Sequence, residues 1–257
     1  MSHPPVHAAK KPEVLILGID DLRSALVAGW ADFRAAPLFG LFFAGVYVAG
    51  GWLIFYALTV SGQVWWTLPA AAGFPILGPF IACGLYEVSR RLETGERLSW
   101  SAILGVIMRQ KDRQIPSIAV VIVVFFLFWN FLAHMIFALF MGLQAMTNIS
   151  TSLDVFFTAN GAMMLLIGTL VGAVFSGVLF ALTVVSLPLL LDREIDFVTA
   201  MITSVSVVLT NPKVMFIWGA VIAVLLFLGI ALGFLGLFLA LPLLGHATWH
   251  LYKRALI

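Results

Sequence analysis

Apolar residues run along this chain in blocks near 38–60, 67–87, 118–141 and 161–190, with a last block from Val214 to Tyr252. About 20 residues of helix cross the roughly 30 Å of bilayer hydrocarbon, so each of the first four blocks suits one pass and the last is too long for one. Its glycine-rich centre, Gly229 to Gly236, is the natural turn between two short passes. The pattern therefore predicts six transmembrane helices.

Between the blocks the pattern changes to a helical alternation of apolar and polar positions. It does so in DDLRSALVAGWADFRAAP (20–37), LSWSAILGVIMRQKDRQIP (98–116) and IDFVTAMITSVSVVLTNP (195–212). The predicted apolar faces are Leu22, Leu26, Trp30 and Phe33; then Trp100, Ile103, Leu104 and Ile107; then Ile195, Val198, Ile202 and Val205, all at spacings of three or four. The third stretch also carries a hydroxyl stripe, Thr199, Thr203, Ser206 and Thr210, expected to face water or a neighbouring helix.

Acidic or hydroxyl residues open each stretch (Asp20 and Asp21, Ser99, and Asp192, Glu194 and Asp196), where orphan amides and the helix dipole favour them. Pro37, Pro116 and Pro212 close them, because proline lacks the N–H and clashes with the preceding turn. PILG at 75–78, PLLL at 188–191 and PLLG at 242–245 mark the second helix of each hairpin. The expected architecture is all-α and polytopic, with three hairpins, each entered through an amphipathic helix lying in the membrane interface. The repeats run approximately 19–91, 98–191 and 194–254 of one membrane domain, 18–257, preceded by a disordered tail, 1–17.

Charge orients this arrangement. All fourteen Lys and Arg residues fall before the first span, between the second and third, between the fourth and fifth, or after the sixth. Short loops rich in Lys and Arg stay cytoplasmic, so both termini and all three amphipathic helices are expected inside. Composition agrees: 62% apolar, 10% charged and a mean hydropathy of +1.10, against about 25% charged in soluble domains. The net charge of +2 is spread along one membrane face beside anionic headgroups and is no sign of nucleic-acid binding. The only early apolar run, VLILGI, is followed by Asp20 and Asp21, so no cleavable signal peptide is expected, and Cys83 stands alone without a disulfide partner.

GIDDLRSALVAGWADFRAAPLFGL, FPILGPFIACGLYEVSRRLETGE and LPLLLDREIDFVTAMITSVSVVLTNP resemble the bacterial integral membrane family of domain of unknown function 2189, over nearly the whole chain from Gly18 to Tyr252. The resemblance implies a six-helix protein of the bacterial inner membrane, in a family without an established activity. Some of its members are labelled putative cytochrome c oxidase subunits.

The residues give that label no catalytic support. An oxidase core needs several embedded histidines, whereas this chain has five in all, and His3 and His7 lie in the tail. His134 and His246 cannot share one haem, because at 1.5 Å per residue they lie about 24 Å and about 10 Å from the same membrane face. His246 and His250, four apart on one helix face, could with Glu87 supply three metal ligands, but an aromatic and polar belt beside Trp249 and Tyr252 explains the histidines as well. Asn130 and His134 form a polar pair inside the third span, a site candidate by default, with an interhelical hydrogen bond as the plainer reading. Gly168, Gly172 and Ser176 form a small-residue ridge suited to close helix packing, and the NIS triplet at Asn148 reads as a loop.

No catalytic residue, cofactor or metal is assigned. The reading is a non-enzymatic inner-membrane protein serving in membrane organisation, assembly or as partner of a larger membrane complex. Its alternatives are a small-solute or lipid-related transporter, and an accessory or assembly factor of a respiratory oxidase. The expected partners are the bilayer and other membrane proteins.

Overall fold

A computed structural model describes residues 12–59, 67–142 and 156–257, and its regular elements there are helices, with no strand among the described residues. The first group is α1 (Ile19–Ala35), α2 (Pro37–Thr59) and α3 (Thr67–Thr94). The second is α4 (Trp100–Gln110), α5 (Ile115–Met141), α6 (Ala159–Thr183) and the short α7 (Ser186–Asp192), and the third is α8 (Phe197–Thr210), α9 (Pro212–Ala231) and α10 (Leu237–Ala255). Among the described residues four stretches are long and apolar enough to cross a membrane: Pro37–Tyr56, Ile115–Met141, Ala159–Asp192 and Pro212–Ala231. α3 and α10 are also long helices, but each ends in a charged segment. Asn148 and most of the tail lie outside the described residues.

The three prolines break the chain where the pattern predicts. Pro37 and Pro212 are the first residues of α2 and α9, and Pro116 sits in the first turn of α5, positions where a missing N–H costs nothing. Ala36 (φ −136°, ψ 53°) and Asn211 (φ −122°, ψ 51°) make the bend with nearly the same backbone. The turn in the last apolar block is also where its glycines put it: α9 ends at Ala231, Gly233 and Phe234 take positive φ, and α10 begins at Leu237.

α1 and α2 run one after the other, antiparallel to α10. Asp21 faces Arg254 at 3.6 Å, Gly29 lies against the backbone of Ala247, and the Trp52 Nε1–H donates to the Gly233 carbonyl at 2.8 Å. A Cβ on Gly29 would stand 2.5 Å from the Ala247 nitrogen, so this contact requires glycine. The close approach also rotates the buried stripe of α1 away from expectation. Leu22, Ala25, Gly29 and Phe33 are buried, while Trp30 is 42% exposed, because small residues let two helices meet and an indole does not.

α8 departs from its expected face in the same way. It buries Ala200, Thr203, Ser204 and Val207, and leaves Val198 and Ile202 exposed. The hydroxyls tolerate burial because they are bonded: Thr203 donates to the Thr199 carbonyl, and Ser204 accepts from the Val185 amide at the start of α7. In α4, Ile103 and Val106 are buried, while Trp100, Leu104 and Met108 are exposed.

The last residues of the segment read as a tail are tied down. Val14 bridges Leu256, the Leu15 amide donates to the Ala255 carbonyl, and Leu17 is buried. Buried Asn211 fastens this segment: its Oδ1 accepts from the Leu17 amide at 2.7 Å, and its Nδ2 donates to the Leu15 carbonyl at 3.0 Å.

The main core lies where α10 meets α1, α3, α7 and α9, around the fully buried Trp218, Trp249 and Tyr252. α5 and α6 pack through Phe125, Phe128, Trp129 and Phe175, and much of their remaining surface is apolar and exposed, as a lipid-facing surface would be. Of the small-residue ridge on α6, Gly172 meets Trp129 closely, whereas Gly168, like the nearby Gly177, faces open space.

Candidate functional site

Helix ends bring the ionic residues of all three groups together. The last turns of α3 supply Glu87, Ser89, Arg90 and Arg91. α7 ends in Asp192, α1 supplies Asp32, α4 and the following turn supply Arg109, Gln110 and Arg113, and α10 supplies His246, His250 and Lys253. Contacts then cross between the groups. His250 Nε2 meets Asp32 Oδ2 at 2.7 Å, the Tyr252 hydroxyl donates to Asp192 at 2.7 Å, Lys253 lies 3.5 Å from the same carboxylate, and Arg113 pairs with Glu194. Trp249 Nε1–H donates to Glu93 at 3.2 Å.

Glu87 is the deepest of these charges, at 1% exposure. Arg90 donates to both of its oxygens, at 2.8 and 2.9 Å, and the Nε–H of Arg91 adds a third bond at 2.6 Å. A buried carboxylate held this way is neutralised and oriented, and because two guanidiniums share it, removing either arginine leaves it paired with the other. Both arginines also reach Glu96, and the Arg90 hydrogen bond holds the Glu96 carboxyl below its usual range. At the start of α8, Asp196 caps the helix by accepting from the Thr199 amide, and its carboxyl is likewise lowered, first by the Thr199 hydroxyl and then by that amide.

The three residues weighed as metal ligands are each engaged elsewhere. Glu87 is held by Arg90 and Arg91, His250 faces Asp32, and the His246 Nδ1 meets the Ser89 hydroxyl at 2.8 Å. Among the described residues no group of three or more His, Cys, Asp or Glu is placed to hold a metal ion. Asn130 and His134 bond their own helix: Asn130 Nδ2–H donates to the Phe126 carbonyl, and His134 Nδ1 meets the Asn130 carbonyl. His134 is on the exposed side of α5 and Asn130 is half-buried, so the pair does not line the bundle interior as a polar pair in a span is expected to do.

A cavity of about 350 Å³ opens between α3, α4 and α7, bordered by Glu87, Arg90, Arg91, Arg109, Gln110, Arg113 and Asp192. In the sequence these arginines stand out only as the positive charges that orient the chain. The one signal that could have singled them out is the spacing of Arg109 and Arg113, four apart, following the Arg90–Arg91 pair; that the two sets face each other depends on how α4 packs on α3.

Several long apolar helices whose charged ends are knotted together define a polytopic integral membrane protein. Residues 67–192, from the start of α3 to the end of α7, match the family described as predicted integral membrane protein (DUF2189). No curated protein and no solved structure matches the chain.

Proposed function

We propose that the protein is a non-enzymatic six-span protein of a bacterial inner membrane, with both termini cytoplasmic, which assembles with a larger membrane complex through its charged end. One observation carries the reading. Beside the ion-paired helix ends, α4 and α8 turn apolar stripes outward: Trp100, Leu104 and Met108, and Val198, Ile202 and Leu209. A short helix with one face anchored to a bundle and an apolar face outward suits the membrane interface, where it meets lipid and other membrane proteins. Support for a common cytoplasmic side comes from the Arg113–Glu194, Lys253–Asp192 and His250–Asp32 contacts, which join the charged segments of all three groups. The matching bends at Ala36 and Asn211 support descent of the first and third groups from one repeated unit.

Purification in mild detergent, with quantitative mass spectrometry and a visible spectrum on the same sample, tests this reading. A membrane-protein partner at defined stoichiometry, lost on Trp100→Ser with Met108→Ser and kept on Asn130→Leu, is the expected result. Solute uptake by proteoliposomes that disappears on Asn130→Leu or His134→Leu would overturn it in favour of transport. Haem absorbance that co-purifies and that the chain cannot hold alone would identify the complex as respiratory.

A further inference from the structure

We propose that the arginine-walled cavity between α3, α4 and α7 binds a phosphate group that carries or adjoins a hydroxyl, such as a phosphoglycerol lipid headgroup or inorganic hydrogen phosphate. This goes beyond the assembly reading and does not depend on it. Four guanidiniums border the cavity against two carboxylates, and both carboxylates are already occupied. Glu87 takes three hydrogen bonds from Arg90 and Arg91, and Asp192 takes the Tyr252 hydroxyl and faces Lys253. Each guanidinium has five N–H donors in a planar fork that matches tetrahedral oxyanions. Arg113 spends one arm on Glu194. Arg109 has no carboxylate partner among the described residues, so its whole fork is free to turn to a ligand.

A second observation points to the same occupant. Gln110 is 3% exposed, and its Oε1 has no hydrogen-bond partner, although it borders the cavity. A buried acceptor left unpaired is costly, and a hydroxyl donor on the ligand would satisfy it. A bare dianion would not. The combination of free guanidinium donors with one enclosed acceptor therefore selects a hydroxyl-bearing phosphate over a sulfate-like anion. The volume lies within the range of small-molecule sites, roughly 300–1,000 Å³. It opens at the charged end of the bundle, where anionic headgroups concentrate.

The test uses the full chain in nanodiscs. In one arm the lipid is phosphatidylcholine with a minor fraction of phosphatidylglycerol, and lipid retained on the protein is counted by native mass spectrometry. In the other the lipid is phosphatidylcholine alone, and inorganic phosphate is titrated calorimetrically. Selective retention of phosphatidylglycerol identifies a headgroup site, and saturable phosphate binding in the second arm identifies a free-anion site. In whichever arm binds, Arg109→Gln should weaken binding at least roughly tenfold, the loss expected of a charge-assisted donor pair, with Arg109→Lys restoring part of it.

Among the described residues the Arg109 side chain has no ion-pair or hydrogen-bond partner, so its variants should melt with the wild type; Arg113→Gln gives an independent second reading. Gln110→Leu should erase any preference for phosphatidylglycerol over phosphatidylmethanol, a phosphodiester headgroup without a hydroxyl, or for phosphate over sulfate. Arg23→Gln, on the exposed side of α1, should change nothing. Absence of binding in both arms overturns the proposal, and so does binding that Arg109→Gln and Arg23→Gln reduce equally.

Discussion

Replacing Asn211 with leucine removes the side chain that joins the entry segment to the bend between α8 and α9. The leucine strands the buried Leu17 amide, now 2.7 Å from Oδ1, at a cost of about 1–3 kcal/mol, and loses the bond to the Leu15 carbonyl, worth about 0.5–1.5 kcal/mol. Together these predict about 2–4 kcal/mol. For a chain of this size that corresponds to a fall of roughly 5–15 °C in apparent Tm, measured by thermal unfolding in detergent. The partner side is checked by deleting residues 1–18, which removes both entry-segment groups that Asn211 serves and leaves only its bond to the Val207 carbonyl one turn earlier. In that background Asn211→Leu should cost less than about 1 kcal/mol, since the two changes share one interaction. A full-length variant as stable as the wild type would refute the argument, and so would an equal cost in both backgrounds.

Gly29→Ala should destabilise by about 1–3 kcal/mol, because the new methyl meets the Ala247 backbone, whereas Gly177→Ala, with nothing within 4 Å, should be neutral or slightly stabilising; paired melts of the two variants check this. Asp196 has a lowered folded pKa, so its contribution is complete above its ordinary value of 3.8 and disappears as pH falls through the folded value. Melting curves between pH 6 and 3 should show that loss, and Asp196→Asn, which keeps a capping oxygen without the charge, should flatten it. Glu87→Gln should release Arg90 and Arg91 from their shared carboxylate and loosen the end of α3, seen as faster amide exchange across residues 87–97. Cys83, fully buried, should resist maleimide until denaturant is added.

Much of the helical plan could be read from the sequence, because its signals are backbone signals. Pro37, Pro116 and Pro212 start α2, α5 and α9 within a residue or two of their predicted positions, and Gly229 to Gly236 frames the final turn. Which face each short helix buries was less legible. In a membrane chain the lipid is as apolar as the core, so a stripe of large apolar residues does not distinguish protein from bilayer. On α1 and α8 small residues decide the matter instead, with Ala25, Gly29, Ala200 and Ser204 inward and Trp30 and Ile202 outward.

The candidate site was legible in parts only. Glu87, His246 and His250 do lie in the polar end of the bundle, but Ser89, Asp32 and the arginines divide them into separate pairs. Asn130 and His134 lie on α5, where their side chains are satisfied by carbonyls one turn earlier. The cavity around Arg109 depends on three helices distant in sequence, and no local pattern encodes their meeting.

The pairing of α1 with α10 has a consequence for how the molecule is made. Among the described helices a ribosome emits α1 first and α10 last, so the surface around Gly29 stays without its mate until α10 has been made. The bridge from Val14 to Leu256 can close only afterwards. A nascent chain stalled before residue 237 would hold α1 open to holdases and proteases.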